Sequence, residues 1–307
     1  MTTYLASRLL QMVPSLFLLT VVLFALMRLG GDPVMHLAHP EASPEEIAEI
    51  RAAYGFDRPL PEQYLKQLRM MLRGDFGESF RFRSPALPLV LEKLPATMEL
   101  AAVSMLVALL IAIPAGLLSA IFQNSPLDLG VTTTSTLGRA MPNFWIGIML
   151  ILLFAVHLGW LPVSGRLETT SIILPALTLG TSVATSLARI LRSSMLEVIR
   201  QEYMTTAKAK GLHRWAVVLG HGLRNALIPF ITVFGLQMAW LLGGSVIVEE
   251  VFAWPGMGRL LLNSVKVRDL SVVMAGVCVF ALVVMGTNLL VDFLYTALDP
   301  RIRYSSS

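Results

Sequence analysis

A chain of 307 residues that is 55% hydrophobic and only 14% charged, with mean hydropathy +0.69, is not a soluble globular domain, in which about 25% of residues are charged. Its net charge of +4 is modest, and in an integral membrane protein such a balance reflects loop orientation rather than nucleic-acid binding. The single cysteine, Cys278, lies in an apolar run and excludes an internal disulfide framework.

In chain order, the first predicted element is an apolar helix at 9–29, matching the roughly 20 residues needed to cross a hydrocarbon core. A secretory signal peptide is the competing reading. The apolar stretch outruns the usual h-region and no A-x-A-like site follows it, so a retained helix is expected. Residues 30–95 then form the one sizeable non-membrane region. His36 and His39 stand three residues apart near Glu41, but no third clear ligand accompanies them and no metal site is expected. In "ASPEEIAEIRAAYGF" at 42–56, Ser43 precedes Pro44, Glu45 and Glu46, an N-cap followed by a suitable first turn. Ile47, Ile50 and Tyr54 recur at helical spacing, giving that helix one apolar face. A second short helix is predicted over 61–72, and together the two would cap the outer face.

Further apolar spans are predicted at 100–122, 144–160, 172–196, 226–248 and 270–298, with "MPN" at 141–143 marking the start of the short third span. Pro14, Pro114, Pro175 and Pro229 fall inside or at the ends of spans, which membrane helices tolerate when neighbours satisfy the freed carbonyls. The predicted fold is therefore all-α: a polytopic membrane protein with six transmembrane helices and a small helical extracytoplasmic segment after the first. Its divisions are 1–29, 30–95 and a five-helix core at 96–307. Polar residues inside spans are candidates to line a pathway, namely Asn143, Gln237 and Asn288, with a helix–helix hydrogen bond as the alternative for each. Asp292 is the acid well inside the sixth span, one turn from Asn288. A charge there needs a partner, and Arg189 or Arg192, at similar depth in the fourth span, is the expected one.

Orientation follows from basic residues in short loops. Arg200, Lys208, Lys210, Arg214 and Arg224 crowd the loop near 197–225, preceded by Arg189 and Arg192, whereas only Arg166 follows the third span. That loop is read as cytoplasmic, and six spans place both termini there too. The segment 30–95 also holds basic residues, but it exceeds the loop length over which the rule applies and is balanced by acids.

Enzymatic signatures are missing from the sequence. It contains no G-x-x-x-x-G-K-[ST] phosphate loop, no HExxH and no G-x-S-x-G. "GMGRLL" at 256–261 lacks the third glycine of a dinucleotide site. Neither catalytic residues nor a cofactor are expected on this chain.

The basic loop reads "EYMTTAKAKGLHRWAVVLGHGLRNALIPF" at 202–230: a short helix, Gly211 for a turn, then an amphipathic helix. On a regular helix Leu212, Trp215, Ala216, Leu219 and Leu223 share one narrow sector, with Arg214, His221, Arg224 and Asn225 opposite. Such a helix can lie on anionic membrane lipid, or dock in a groove of a cytoplasmic protein. The small residues Ala207, Ala209 and Gly211 permit the close approach that docking requires.

This loop resembles the EAA-type coupling loop of ABC-transporter permease subunits, in the branch that imports peptides and nickel. Along nearly the whole chain "GDPV", "YGFDRPLPEQY", "RGDFGESF", "LPATMEL", "MPNFWIG", "LGWLPVSGR", "LARILRSSMLEV", "GGSVIVEEVFAWPGMGRLL" and "NLLVDFLYTALDPRIR" are similar to that family, in order. Thr205 and Thr206 stand where the general motif has Glu-Ala, Arg224 where it has proline, and Gly30 replaces a proline common before "GDP". The resemblance implies half of an import channel in a bacterial inner membrane, paired with a second homologous permease subunit. It also implies two ATPase subunits carrying ATP and magnesium, and an extracytoplasmic solute-binding protein. It puts ATPase coupling on Glu202, Tyr203, Thr206, Ala207, Ala209, Gly211, Leu212 and Trp215. Peptides are the expected solute; nickel chelates, opines or glutathione are alternatives within the same architecture, and a membrane enzyme or passive channel the alternative outside it.

Overall fold

The computed structural model of the protein describes residues 2–29, 34, 42–211 and 213–298. The chain divides into two compact units, one comprising Thr2–Leu94 and Leu260–Met285, the other Pro95–Arg259 with the helix from Gly286 onward. Residues 260–285 thus group with the N-terminal part rather than with the rest of the expected 96–307 core.

In the first unit, α1 (Thr2–Leu29) contains Pro14. Its Phe17 and Phe24 meet Tyr64 edge-on at 6.0 and 5.5 Å, and the Thr20 and Tyr64 hydroxyls are 2.9 Å apart. Helix α2 (Pro44–Tyr54) starts where local capping dictates. The Ser43 hydroxyl accepts from the Glu46 N–H while the Glu46 carboxylate accepts from the Ser43 N–H, so two otherwise orphaned donors are satisfied reciprocally. Helix α3 (Leu60–Leu72) follows. A two-residue hairpin, β1 (Glu78–Ser79) and β2 (Ser84–Pro85), is the small departure from an all-α chain. Ser79 is buried and donates to Asp269 at 2.5 Å. Asp269 in turn accepts from the Val272 N–H in the first turn of α12, introduced below.

Helix α4 (Ala86–Ile121) leads into the second unit. Helix α5 (Pro126–Ala140) is amphipathic, hydroxyl-rich and capped by Ser125; it lies between the predicted second and third spans. Helix α6 (Asn143–Leu150) continues as a π-helix over Ile151–His157. The two arms, 126–140 and 143–157, meet at 106°. Met141 between them is extended (φ −87°, ψ 130°), because the following proline disfavours helical geometry. A 3₁₀ turn (Thr169–Ile172) opens α7 (Ile173–Ile199). Helix α8 (Glu202–Ala209), the short α9 (Arg214–Ala216), a π-helix (Val217–Leu223) and α10 (Arg224–Val251) follow. Helix α11 (Met257–Lys266) and α12 (Leu270–Leu298) are the last of the described elements.

Among the described residues four helices are long and apolar enough to cross a membrane: Ala86–Ile121, Thr169–Ile199, Val217–Val251 and Leu270–Phe293. The bent pair would make a fifth, and the apolar stretch of α1, Leu10–Leu26, is shorter. The predicted third span is the second arm of the bent pair.

Helix α7 forms the centre of its unit, packing against α10, α5 and α6. Small residues let neighbours reach its backbone. A Cβ on Gly180 would stand 2.7 Å from the Ser104 carbonyl oxygen, and one on Gly116 of α4 would stand 2.6 Å from that of Ala188. Leu179, Leu187, Leu191, Met195, Leu241, Phe252 and Trp254 fill the surrounding core.

Candidate functional site

The loop from α7 to α10 folds around its own small core. Met204 and Ala207 of α8 close over Val217, with Val198 and Ile199 of α7 beside them. The Asn225 amide donates to the Tyr203 hydroxyl at 3.0 Å and to the His221 carbonyl at 2.9 Å, fastening α8 to the root of α10. Gly211 turns the chain with φ +76°, and a Cβ there would meet nothing within 4 Å. The turn therefore needs glycine for its backbone conformation and not for space.

Of the residues expected to couple, Glu202, Tyr203, Thr206, Ala209, Gly211 and Trp215 are exposed. Ala207 is 8% exposed and belongs to the loop's inner core; its small size serves packing within the loop. Leu212 lies outside the described residues, as do His36, His39 and Glu41. Most of the described part of the predicted apolar sector faces outward. The buried residues are Val217, Val218 and Gly222, whereas Trp215 (40%) and Leu219 (47%) are exposed and Leu223 is half-buried. The π-helix over Val217–Leu223, with its wider turns, sets Leu223 off the phase of a regular helix. Tyr203, Trp215 and Leu219 are thus large apolar side chains exposed on this loop.

Below this loop, Arg192 of α7 forms a two-point ion pair with Asp128 of α5, at 2.6 Å from Nε to Oδ1 and 2.8 Å from Nη2 to Oδ2. Ser119 of α4 donates its hydroxyl to the same carboxylate, as does the Asn124 N–H at 2.9 Å. Asp128 is 4% exposed. One carboxylate thus joins three helices. The expected Asp292–Arg192 pair is replaced by this one, because α5, which the apolar pattern did not reveal, presents Asp128 directly to Arg192. Arg189 instead lines a cleft of about 460 Å³ between α5 and α7. Asp292 is half-buried on α12. Asn143 and Gln237 are half-buried and Asn288 exposed, and none of the three lines that cleft.

At the other end of α10, Glu249 is fully buried. Its carboxylate accepts from the Thr97 hydroxyl at 2.8 Å, the Ser245 hydroxyl at 3.3 Å and the Arg259 N–H at 2.9 Å. Thr97 in turn accepts from the Met257 N–H at 2.8 Å, and the Trp254 indole donates to the Ala96 carbonyl at 2.9 Å. The carboxylate thus caps the start of α11, where unpaired N–H groups favour a negative charge, and clips the "FAWPGMG" turn onto α4. Nearby, Arg166 pairs with Glu99 at 2.5 Å and lies over Trp254. Neither carboxylate was singled out from sequence. The legible signals were Ser125-Pro126-Leu127-Asp128 as a helix start, and a double acid just before an aromatic-Pro-Gly turn.

Among the described residues the arrangement is a set of clamped helices with exposed apolar side chains on the loop between α7 and α10. Comparison with known proteins agrees with that character. Residues 112–304 match the family described as "Binding-protein-dependent transport system inner membrane component", and residues 1–101 match its N-terminal membrane component model. The glutathione transport system permease protein GsiC of Salmonella paratyphi A is 44% identical over 306 residues, covering 99% of this chain and 100% of that one. The oligopeptide transport system permease protein AppB of Bacillus subtilis is 42% identical over 317 residues, with the same coverage. Among solved structures, an inward-facing MetNI methionine ABC transporter superposes with TM-score 0.60 at 20% identity, over 69% of this chain and 96% of that one. An amino acid ABC transporter superposes with TM-score 0.55 at 15% identity, over 68% and 94%. At these identities the two structures speak to the fold alone.

Proposed function

The chain belongs to the family of binding-protein-dependent inner membrane components, the permease subunits of ABC importers, and on that premise we propose that it forms half of a transmembrane pathway for peptides. It is a multi-pass protein of the bacterial inner membrane. In the proposed assembly a second homologous permease completes the pathway, two ATPase subunits bind ATP and magnesium, and an extracytoplasmic protein delivers the solute. The relatives named for oligopeptide and glutathione transport support a peptide-class solute, glutathione being itself a tripeptide.

The observation that carries the coupling assignment is the exposure of Tyr203, Trp215 and Leu219 on a loop that already has its own core. A loop built only to return the chain has no reason to keep a tryptophan outside a completed core. ATPase closure displaces such an element as a rigid body, and the packing of Met204, Ala207 and Val217 supplies the stiffness to transmit it. Because Trp215 is exposed, its replacement spares the loop's interior. Trp215→Asp is expected to leave the permease at wild-type abundance and to lower the copurifying ATPase at least about tenfold, as loss of a tryptophan hot spot does, with uptake lost in parallel. Wild-type copurification and uptake would refute the docking assignment.

We further propose six spans with both termini cytoplasmic, which puts residues 30–95 outside. The charge asymmetry around 197–225 supports this. Leu72 is 80% exposed, so a Leu72→Cys variant in a Cys278→Ser background is expected to react with an impermeant thiol reagent in intact spheroplasts. Labelling confined to disrupted membranes would invert the topology.

A further inference from the structure

The cleft between α5 and α7 has a chemistry that the helix packing does not require. Helix α5 contributes Thr132, Ser135, Thr136 and Arg139, and α7 contributes Thr185 and Arg189 beside the already paired Arg192. Arg139 and Arg189 are both exposed, and among the described residues no carboxylate lines the cleft. Arg189 sits within the apolar segment Thr169–Ile199, where an exposed arginine facing lipid is disfavoured and one facing a water-filled cavity is the usual solution. The Thr136 and Thr185 hydroxyls donate to their own helices, to the Thr132 and Ser182 carbonyls. They thus present lone pairs, not protons, to the cleft. At about 460 Å³, the space falls in the range of small-molecule sites.

We propose that this cleft is a station on the solute pathway, in which Arg139 and Arg189 hold the free carboxylate of a passing peptide. The threonine oxygens accept from the peptide's N–H groups. Guanidinium groups suit this task because their planar fork matches a carboxylate. A lipid headgroup fits less well, since Val131 and Ala188 are the apolar side chains on the lining and offer no track for acyl chains. The proposal rests on the reading of the chain as a peptide-importing permease.

The test uses the assembled transporter with its ATPase and binding-protein partners, reconstituted in vesicles containing anionic lipid. A tripeptide with a free carboxylate is compared with its C-terminally amidated form, each supplied on saturating binding protein. Arg139→Gln/Arg189→Gln is expected to assemble at wild-type yield, to lower uptake of the free-acid peptide about tenfold, and to erase its advantage over the amide. Arg139→Lys/Arg189→Lys should restore part of that advantage. Free-acid uptake untouched by the glutamine pair sinks the station alone. Loss of assembly in the glutamine pair overturns it in favour of a contact with the partner permease. Disappearance of the arginine effect in purely zwitterionic vesicles overturns it in favour of a lipid headgroup. A wild-type complex that moves neither peptide sinks the peptide reading itself, and the station with it.

Discussion

Arg192→Leu and Asp128→Leu are each expected to destabilise the permease by about 3 kcal/mol, the lower end for breaking a buried pair, because Arg192 keeps a quarter of its side chain exposed. Either single change strands the other group: a carboxylate 4% exposed, or a guanidinium among packed helices. The Asp128→Leu/Arg192→Leu double variant leaves no charge uncompensated and is expected to recover much of the loss. The measurement is the apparent melting temperature in detergent, together with abundance in the membrane. A double variant that adds the two single losses would show that the groups are not coupled. Asp292→Asn combined with Arg192→Leu supplies the contrast and is expected to add, because the geometry pairs Arg192 with Asp128. The ion pair joins α4, α5 and α7 next to the loop assigned to coupling. Its loss is therefore expected to loosen the seat of that loop as well as the unit's core.

Glu249→Ala is expected to be as damaging, and to prevent accumulation of folded protein. It removes the acceptor of the Thr97 hydroxyl and the Arg259 N–H in a fully buried site, while the Ser245 hydroxyl keeps the Leu242 carbonyl at 2.8 Å. Each donor left unsatisfied costs about 1–3 kcal/mol, and membrane insertion provides no water to replace the carboxylate. Thr97→Val should have a smaller effect, because it orphans the Met257 N–H and leaves the carboxylate with its other partners. Glu249→Gln falls between them, since its amide keeps one acceptor and turns a donor toward other donors. The order Ala, Gln, then Thr97→Val, from most to least damaging, is read from membrane abundance and thermal melting. Equal abundance for Glu249→Ala and wild type would show that the turn holds its place without the carboxylate.

Local signals were legible in the sequence. The apolar runs over 100–122, 172–196, 226–248 and 270–298 correspond to the long helices because spanning length depends on composition alone. Ser43 and Glu46 marked the start of α2 because both halves of a capping box lie within one turn. The resemblance, and not periodicity, pointed to the 202–215 segment as a candidate coupling element. Periodicity placed Trp215 and Leu219 on one face but was silent on whether that face looks in or out.

Helix α5 was missed because "VTTTSTLG" is rich in β-branched and hydroxyl residues with weak helical preference. Once α5 was missing from the reading, Arg192 had no apparent partner nearer than Asp292. Its actual partner stands 64 residues away on α5, and Glu249 meets Thr97 across 152 residues. Ala207 looked like a surface for a partner, whereas the fold uses it to close on Val217. Membrane class, most of the long helices and the Ser43 cap were thus determined by the sequence itself, because hydrophobic length and capping act within a few turns. Charge partners, the outward face of the loop and the arginine cleft were decided by the tertiary structure. Each depends on the rotation and depth of one helix against another, and those are set by packing between residues far apart in the chain.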